Sequence, residues 1–359
     1  MNKKISIRDL LVKKVEAIEV EKDKRISKLL REMGNTGFQG KRLGIAVDII
    51  EKMIRDKEVT IFLGYAGSLS TTGQWKIIKW FIERNFIDVL VPTGANISED
   101  IVDAMGFGYW QGSEKIDDRI LCKFSINRYY DVFVKESDYM KMTELIADFY
   151  MNELKEGYCY SSKEILYLFG KWLEKRGIES IVTAAARNRV PVFCPALIDS
   201  PYGDAILIAK SKGFNIVIDE AKDYVEFMRI SEKIKESGVI YIGGGVPKDF
   251  IQLFAVTSNL LYPDRKVPGK NKGMKVLEKN KIIETHYPHK YAVQITTDTP
   301  QFGGLSGCTF EEAISWGKIS ATGNFVQVYC DATIALPLIA HALEERLENF
   351  ERKRKVDLL

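Results

Sequence analysis

The stretch TIFLGYAGSLSTTGQWKIIKWFIERNFIDVLVPTGA, residues 60–95, decides the fold because it alternates strand and helix signals. Residues 60–67 and 87–95 are short apolar runs that end in small or turn-forming residues, which is typical of buried strands. Between them, residues 73–85 repeat apolar side chains at helical spacing. Strands joined through a helix pair in parallel, and such sheets carry helices on both faces. The stretch therefore predicts an α/β fold.

The same alternation extends outward along the chain and predicts one large domain over residues 38–359. A helix is expected at 41–56, and a further helix at 98–105. Residues 258–289 are basic and polar and predict an insertion between a helix and the next strand. The mixed charges and apolar spacing of residues 3–33 predict one or two amphipathic helices within an N-terminal segment, 1–37. The further strand candidates are 190–199, 214–219, 239–245, 291–298 and 325–332.

The composition excludes several classes of protein. A net charge of +3 does not indicate a nucleic-acid binder. The N-terminus lacks the apolar core of a signal peptide, and no apolar run is long enough to span a membrane. Five cysteines without CxxC spacing predict reduced thiols and a cytoplasmic protein. Three histidines are too few for a His-built metal site, so no metal is predicted.

Small, polar or acidic residues follow six of the apolar runs, which favours a nucleotide site. In an open parallel sheet the ligand crevice lies at the carboxyl ends of the strands, where glycines allow phosphates to approach and helix N-termini attract them. Neither GxGxxG nor GxxxxGK[ST] is present, so a nucleoside triphosphatase is disfavoured. The six segments are 64–73, 91–96, 195–204, 242–249, 296–307 and 328–333.

A second candidate site is FEEAISWGKI, residues 310–319. Glu312 and Trp316 are four residues apart and share a helix face, and Lys318 follows them. A carboxylate, an indole and a lysine suit a cationic amine substrate and imine chemistry. On spacing alone, however, the segment is more typical of an ordinary amphipathic helix with a core tryptophan and a surface lysine.

Taken together, these segments resemble the deoxyhypusine synthase family, most closely its deoxyhypusine synthase-like branch. The similarity runs from about residue 38 to 345 in conserved order, except at the insertion. The matching blocks are FQGKRLGIAV (38–47), DVLVPTGANISED (88–100), INRYYDVFV (126–134), RVPVFCPALIDSPYGD (189–204), GGGVPKD (243–249), EEAISWGKI (311–319) and VYCDATIALPLIA (328–340).

The resemblance implies a Rossmann-like NAD-binding fold and a homotetramer with active sites at subunit interfaces. It also implies an NAD-dependent transferase that moves the aminobutyl group of a polyamine such as spermidine, through a lysine imine, to an acceptor amine. By the same resemblance, Lys318 is the catalytic lysine. The implied cofactor positions are Gly67, Ser68, Thr93, Gly94, Glu99, Asp199, Gly244, Thr297, Asp298, Asp331 and Ala332. The implied polyamine positions are Asp204, Asp249, Gly303, Gly304, Leu305, Glu312 and Trp316.

The sequence departs from the family pattern around the implied amine pocket. Asp249 replaces a histidine, and Phe302 and Leu305 each replace an aspartate. These exchanges favour retained imine chemistry with a changed amine donor or acceptor, such as putrescine and a small diamine that give homospermidine.

Three other interpretations remain open from the sequence. The acceptor can be a lysine of the hypusine-containing translation factor, in which case the pocket mouth must admit a protein loop. The chain can instead be a catalytically silent NAD-binding regulator, but such a protein has no reason to keep Lys318 and Glu312. A simple oxidoreductase would accumulate NADH, whereas the transferase produces no net NADH.

Overall fold

The computed structural model describes residues 10–261, 276–278, 281–283, 287–304, 306–354 and 356–359. Its strands are β1 Val59–Tyr65, β2 Val89–Pro92, β3 Trp110–Gln111, β4 Ile126–Tyr129, β5 Val132–Lys135, β6 Cys159–Tyr160, β7 Val217–Ile218, β8 Glu236–Ile242, β9 Val276–Glu278, β10 Lys281–Ile283, β11 His289–Thr296 and β12 Ile319–Tyr329. Its α-helices are α1 Ile26–Met33, α2 Phe38–Arg55, α3 Trp75–Glu83, α4 Glu99–Ala104, α5 Asp118–Lys123, α6 Glu136–Glu153, α7 Ser162–Glu174, α8 Ile181–Arg187, α9 Pro201–Ser211, α10 Glu220–Arg229, α11 Gly245–Thr257, α12 Phe310–Ser315 and α13 Ala332–Arg346. Short 3-10 turns cover Ala95–Ile97, Ile230–Glu232, Ser258–Leu261 and Pro300–Phe302.

A five-stranded sheet in the order β12-β11-β8-β1-β2 forms the centre of the fold, and every neighbouring pair is parallel. Because all five strands run the same way, their carboxyl ends all lie at the same end of the sheet. This arrangement confirms the predicted α/β architecture with a parallel sheet.

Each face of the sheet has its own hydrophobic core. Successive side chains of a strand point to opposite faces, so Ile61 and Leu63 of β1 pack with α2, while Phe62 packs with α11. The strands are apolar on both faces for this reason, as is usual for a parallel sheet covered by helices. No helix in the described part of the chain is long and apolar enough to cross a membrane.

Two predicted strands are absent from the central sheet. Residues 190–199 form no strand: only Val192 makes an isolated bridge, to Leu90 of β2. Pro191 has no N–H to donate, which limits its pairing with a neighbouring strand. Within 214–219, only β7 is a strand, and it pairs with β6 outside the central sheet. The strand assigned to 190–199 was therefore wrong, although residues 190–194 are buried as the apolar run indicated. The strand assigned to 214–219 is confirmed only at β7, and of this segment only Ile216 is buried.

Within the described part of the N-terminal segment, the main helix is α1, Ile26–Met33. The expectation of helix over residues 3–33 is confirmed at α1, but residues 11–25 contain no helix. Leu11 and Val15 are 76% and 69% exposed, so the apolar side chains that suggested a helix face pack against little of this chain. An isolated short helix gains most of its stability from a packed apolar face, and that packing is missing here.

The segment predicted as an insertion, residues 258–289, follows α11 and reaches the start of β11. Its described backbone includes an antiparallel pair, β9 with β10. Most of the remaining insertion lies outside the described residues.

Candidate active site

A large cleft of about 1700 Å³ opens at the carboxyl ends of β1, β8, β11 and β12. Each of these strands ends in the small or polar residues that the sequence singled out, and parallel pairing brings those ends together. The predicted cofactor positions that line the cleft are Gly67, Ser68, Gly244, Thr297, Asp298, Asp331 and Ala332.

The turn between β8 and α11 forms a glycine cradle in this cleft. Gly243 and Gly245 adopt left-handed conformations, with φ of 72° and 60°. A Cβ on Gly244 would lie 2.0 Å from the carbonyl oxygen of Ser306, so only glycine fits there. The N-terminus of the 13-residue helix α11 opens at the same place. Bare backbone and a helix N-terminus together suit a phosphate group.

Two carboxylates lie at the neighbouring strand ends. Asp298 accepts the Ser306 amide at 2.6 Å through Oδ2, and Asp331 accepts the Thr333 amide at 2.7 Å through Oδ1. These bonds fix both carboxylates and leave a second oxygen on each to accept a ribose hydroxyl. The cradle and the carboxylates therefore fit a nucleotide.

Glu99 lies beneath the cleft and accepts a hydrogen bond from Ser68. Its side chain is buried, and burial raises the pKa of Glu99 to about 7. Tyr129 lines the cleft from the small antiparallel sheet β3-β5-β4 and, with Ser68, opposes part of this rise in the pKa of Glu99. Glu99 therefore reaches the cleft only through Ser68, which lines it.

Asn96 is a site residue that the sequence did not single out. Its Nδ2 donates to the Gly67 carbonyl at 2.6 Å and to the Thr93 hydroxyl at 2.9 Å, and its Oδ1 accepts the Leu69 amide. One amide thus ties the ends of β1 and β2 together. The sequence signal for Asn96 was its place in the turn Gly94-Ala95-Asn96, at the end of a predicted strand. The direction in which its side chain points depends on the fold.

The structure does not bring every predicted position to the cleft. Asp199 and Asp204 are exposed around the start of α9 and do not line it. Gly94 packs against that region instead, since a Cβ there would lie 2.4 Å from the Ser200 hydroxyl. Asp199 and Asp204 therefore lie on a separate surface beyond β2, the edge strand of the sheet, whereas Gly94 is buried beneath it.

Lys318 immediately precedes β12, which is the outer strand on the other side of the sheet from β2. Its Nζ is 3.3 Å from Asp249 Oδ1 and 3.4 Å from Gln252 Oε1, and 5.6 Å from the centroid of the Trp316 ring. The side chain is only 12% exposed, whereas Trp316 is 62% exposed. A partly enclosed amine beside an open indole face and a carboxylate can receive a cationic substrate. Glu312 is exposed one helical turn before Trp316.

A second lysine, Lys248, lies buried behind this corner and was not predicted. Its Nζ donates to Gln294 Oε1 at 2.9 Å and to the Cys308 carbonyl at 2.6 Å. Burial lowers the pKa of Lys248, and the nearby Lys318 ammonium adds to the fall. Lys248 thus anchors the loop before α12 and increases the positive potential around Lys318.

The loop between β11 and α12 connects the two neighbourhoods. Gly303 and Gly304 have φ of 96° and 57°, so both occupy the left-handed region. Ser306 contacts the glycine cradle, while the Cys308 carbonyl binds Lys248. Lys318 therefore lies beside the cleft, across this loop, and is not part of its wall. Leu305 lies outside the described residues.

Asp100, next to Glu99, predicts a pH effect on stability. It is fully buried; one oxygen accepts the Ile181 amide at 2.6 Å, the other has no partner among the described residues, and burial raises its pKa to about 7. Since an unfolded aspartate titrates near 3.9, the proton-linked stability is complete below about pH 4 and is lost as pH rises to about 7.

Asp100→Asn should therefore differ least from the parent near pH 4, and its urea unfolding midpoint should exceed that of the parent increasingly from pH 5 to pH 8. The asparagine keeps an acceptor for Ile181 and never ionises. Asp148→Asn, at an exposed position, is the control and should not alter the pH dependence. An identical loss of stability from pH 5 to pH 8 in parent and Asp100→Asn would contradict the assignment.

Sequence comparisons show which family of proteins the chain resembles. The family model for deoxyhypusine synthase matches residues 28–343. A protein of Methanosarcina mazei named "Probable deoxyhypusine synthase 2" is 42% identical over 93% of this chain and 91% of its own length. An Archaeoglobus fulgidus protein of the same name is 44% identical over 87% and 95%. A "Deoxyhypusine synthase-like protein" of Chlorobaculum tepidum is 36% identical over 87% of this chain and 84% of its own.

A structural comparison gives the same fold. The crystal structure described as that of "a putative deoxyhypusine synthase from Entamoeba histolytica" superimposes with a TM-score of 0.59 at 19% identity, covering 94% of this chain and all of that one. The family model spans most of the chain, and the archaeal relatives exceed 40% identity. The chain belongs to the deoxyhypusine synthase family.

Proposed function

We propose that the chain is an NAD-dependent aminobutyl transferase that moves the butylamine group of spermidine or putrescine, through an imine on Lys318, to a small diamine. The product would be of the homospermidine type. The observation that carries the proposal is the enclosure of the Lys318 amine between Asp249 and Gln252, beside the open face of Trp316. Family membership supports aminobutyl transfer in general.

NAD is the proposed cofactor, held in a Rossmann-like manner by the cleft at the strand ends. Gly244 and the start of α11 would receive the phosphates, and Asp298 and Asp331 would receive ribose hydroxyls. The chemistry that bound NAD supplies is removal of a hydride from the amine donor and its return to the final imine. We place Asp199 and Asp204, exposed beyond β2, in a site completed by a neighbouring subunit of a homotetramer.

Lys318 acts on the oxidised donor in the proposed sequence. Its uncharged amine attacks the donor's imine carbon, and the original amine leaves with the electrons of the broken C–N bond and a proton. The acceptor amine then attacks the lysine imine and releases Lys318 unchanged. Asp249, 3.3 Å from Nζ, can take the proton that Lys318 gives up and can bind an incoming ammonium group.

The test is to incubate the protein with NAD and each polyamine and to identify the products by mass. Spermidine or putrescine with a diamine acceptor should give homospermidine without accumulating NADH. Borohydride should trap the aminobutyl group on Lys318, as located by peptide mapping. A silent NAD-binding regulator would give no product with any polyamine, and a simple oxidoreductase would accumulate NADH.

Transfer to a protein lysine is the second candidate function. The names of the relatives from M. mazei and A. fulgidus favour it, because both are described as deoxyhypusine synthases. Adding the hypusine-containing translation factor to the same reaction separates the candidates. A gain of one aminobutyl group on that protein, in preference to a small diamine, would replace the proposed acceptor.

Replacing Asp249 with histidine, the residue of the family pattern, should weaken the use of a small diamine acceptor. Asp249 is exposed, and exposed ion pairs contribute up to about 1 kcal/mol, so kcat/KM for the diamine should fall by roughly fivefold. The measurement is kcat/KM for putrescine and for a monoamine acceptor in the same variant. An equal change for both acceptors would show that Asp249 does not select the second ammonium group.

A further inference from the structure

A second cleft, of about 670 Å³, lies at the opposite end of the sheet from the cofactor cleft. The C-terminal segment after α13 forms one side of it and contacts the starts of β1 and β2. Arg352 makes this connection by donating to the Val59 carbonyl and to Asp88, the residue before β2, at 2.8 and 2.7 Å. The cleft is therefore separate from the residues assigned to aminobutyl transfer.

The interior of this cleft has more positive than negative charge. Asp88 is only 6% exposed, and two guanidinium groups share its carboxylate. Arg352 takes both oxygens, and Arg354 Nε is 3.5 Å from Oδ1. The Arg352 and Arg354 side chains are 8% and 15% exposed, so one buried carboxylate compensates two largely enclosed cations. Such an arrangement costs stability unless another anion is present.

Arg354 shows where that anion would bind. Its Nη1 donates to the Asn188 carbonyl, whereas Nη2 is buried and has no acceptor among the described residues. Burial also lowers the pKa of Arg354, so Asp88 does not fully compensate its charge. Buried donors are almost always satisfied, so an unpaired guanidinium N–H calls for a bound ion, a water or another chain.

The rim of the cleft adds further cations. Arg84, Arg189 and Lys353 line it together with Arg352 and Arg354, against three acidic side chains. Arg84 is also paired with Glu344, which does not line the cleft, at 3.2 Å. Of these acids, Asp357 is already paired with Arg189. Arginine offers paired N–H groups that match the oxygens of a tetrahedral anion, which a point-charge ammonium does not.

We propose that this cleft binds a phosphate group, as inorganic phosphate or as a phosphate monoester, between Arg354 Nη2 and the cations of the rim. The anion supplies the negative charge that Asp88 alone does not provide. It also ties the C-terminal segment to the amino ends of β1 and β2. This site is independent of the proposed aminobutyl transfer.

The test is calorimetric titration of the full chain, saturated with NAD so that the cofactor cleft is blocked. Inorganic phosphate and glycerol phosphate are injected separately, with sodium chloride holding the ionic strength constant. One phosphate should bind per chain. Tighter binding of glycerol phosphate would identify an ester as the preferred source, and tighter binding of inorganic phosphate the free ion.

Two variants should change the affinity in opposite directions. Arg354→Met should weaken phosphate binding at least about tenfold, because hydrogen bonds between charged groups contribute about 1.5–3 kcal/mol. Asp357→Asn should strengthen binding by roughly two- to fivefold, since it frees Arg189 and removes a repelling charge from the exposed rim. A purely structural role for Arg354 would not predict the gain in Asp357→Asn.

Three results would overturn the proposal: no phosphate heat in the parent, unchanged affinity in Arg354→Met, or weaker binding in Asp357→Asn. If Arg354→Met does not fold, Lys353→Gln replaces it, because Lys353 is exposed and its loss should weaken binding by about threefold. Unchanged affinity in Lys353→Gln would then overturn it. Failure of phosphate to bind, with loss of the oligomer in Arg354→Met, would assign the cleft to a carboxylate of a neighbouring chain.

Discussion

Lys318→Arg should lower aminobutyl transfer by at least about a thousandfold, as removal of a nucleophile does in other enzymes. Arginine keeps the positive charge and the pairing with Asp249, but its guanidinium stays protonated and cannot attack an imine. NAD affinity should change little, because Lys318 does not line the cleft at the strand ends. Product formation is measured by mass, and NAD binding by fluorescence titration.

Lys290→Arg is the matched control. Lys290 also forms an ion pair, with Asp56 at 2.8 Å, but it lies at the amino end of β11, away from the cleft. Transfer should be retained in this variant. If Lys318→Arg kept more than a tenth of the parental turnover with spermidine, another group would have to carry the aminobutyl chain.

The sheet could be predicted from the sequence because its strands are short apolar runs that end in small residues. The same rule gave a wrong strand at 190–199, where buried residues contact β2 through only a few backbone bonds. A buried apolar run does not reveal whether the neighbouring strand offers a full row of partners. Whether the segment forms a strand depends on the prolines within it and on which strand lies at the edge of the sheet.

The candidate site was predicted where it depends on strand ends and missed where it depends on side-chain direction. Seven of the eleven predicted cofactor positions line one cleft, because parallel pairing aligns the ends of the strands. Asn96 and Lys248 point inward through contacts between distant segments, which spacing along the chain does not reveal. Asp199 and Asp204 lie exposed around the start of α9, away from the cleft, and the rule of strand ends does not predict this placement.

Gly244→Ala should weaken NAD binding by about a hundredfold. The added Cβ would meet the Ser306 carbonyl oxygen at 2.0 Å, so the β8–α11 turn and the loop carrying Asp298 must separate. The bond from the Gly245 amide to that same oxygen would break. Displacing positioning groups by about 1 Å can cost a factor of about a hundred. Fluorescence titration with NAD measures the loss, after circular dichroism has shown that the variant folds.

Gly40→Ala is the control for adding a methyl group to a glycine. A Cβ at Gly40 would lie 3.6 Å from the Thr36 hydroxyl, an ordinary contact, and alanine favours the surrounding helix α2. NAD affinity should therefore stay within about twofold of the parent, as expected for a surface substitution. If Gly244→Ala bound NAD as tightly as Gly40→Ala, the cofactor could not depend on close approach to the glycine cradle. The strand-end carboxylates alone would then have to hold it.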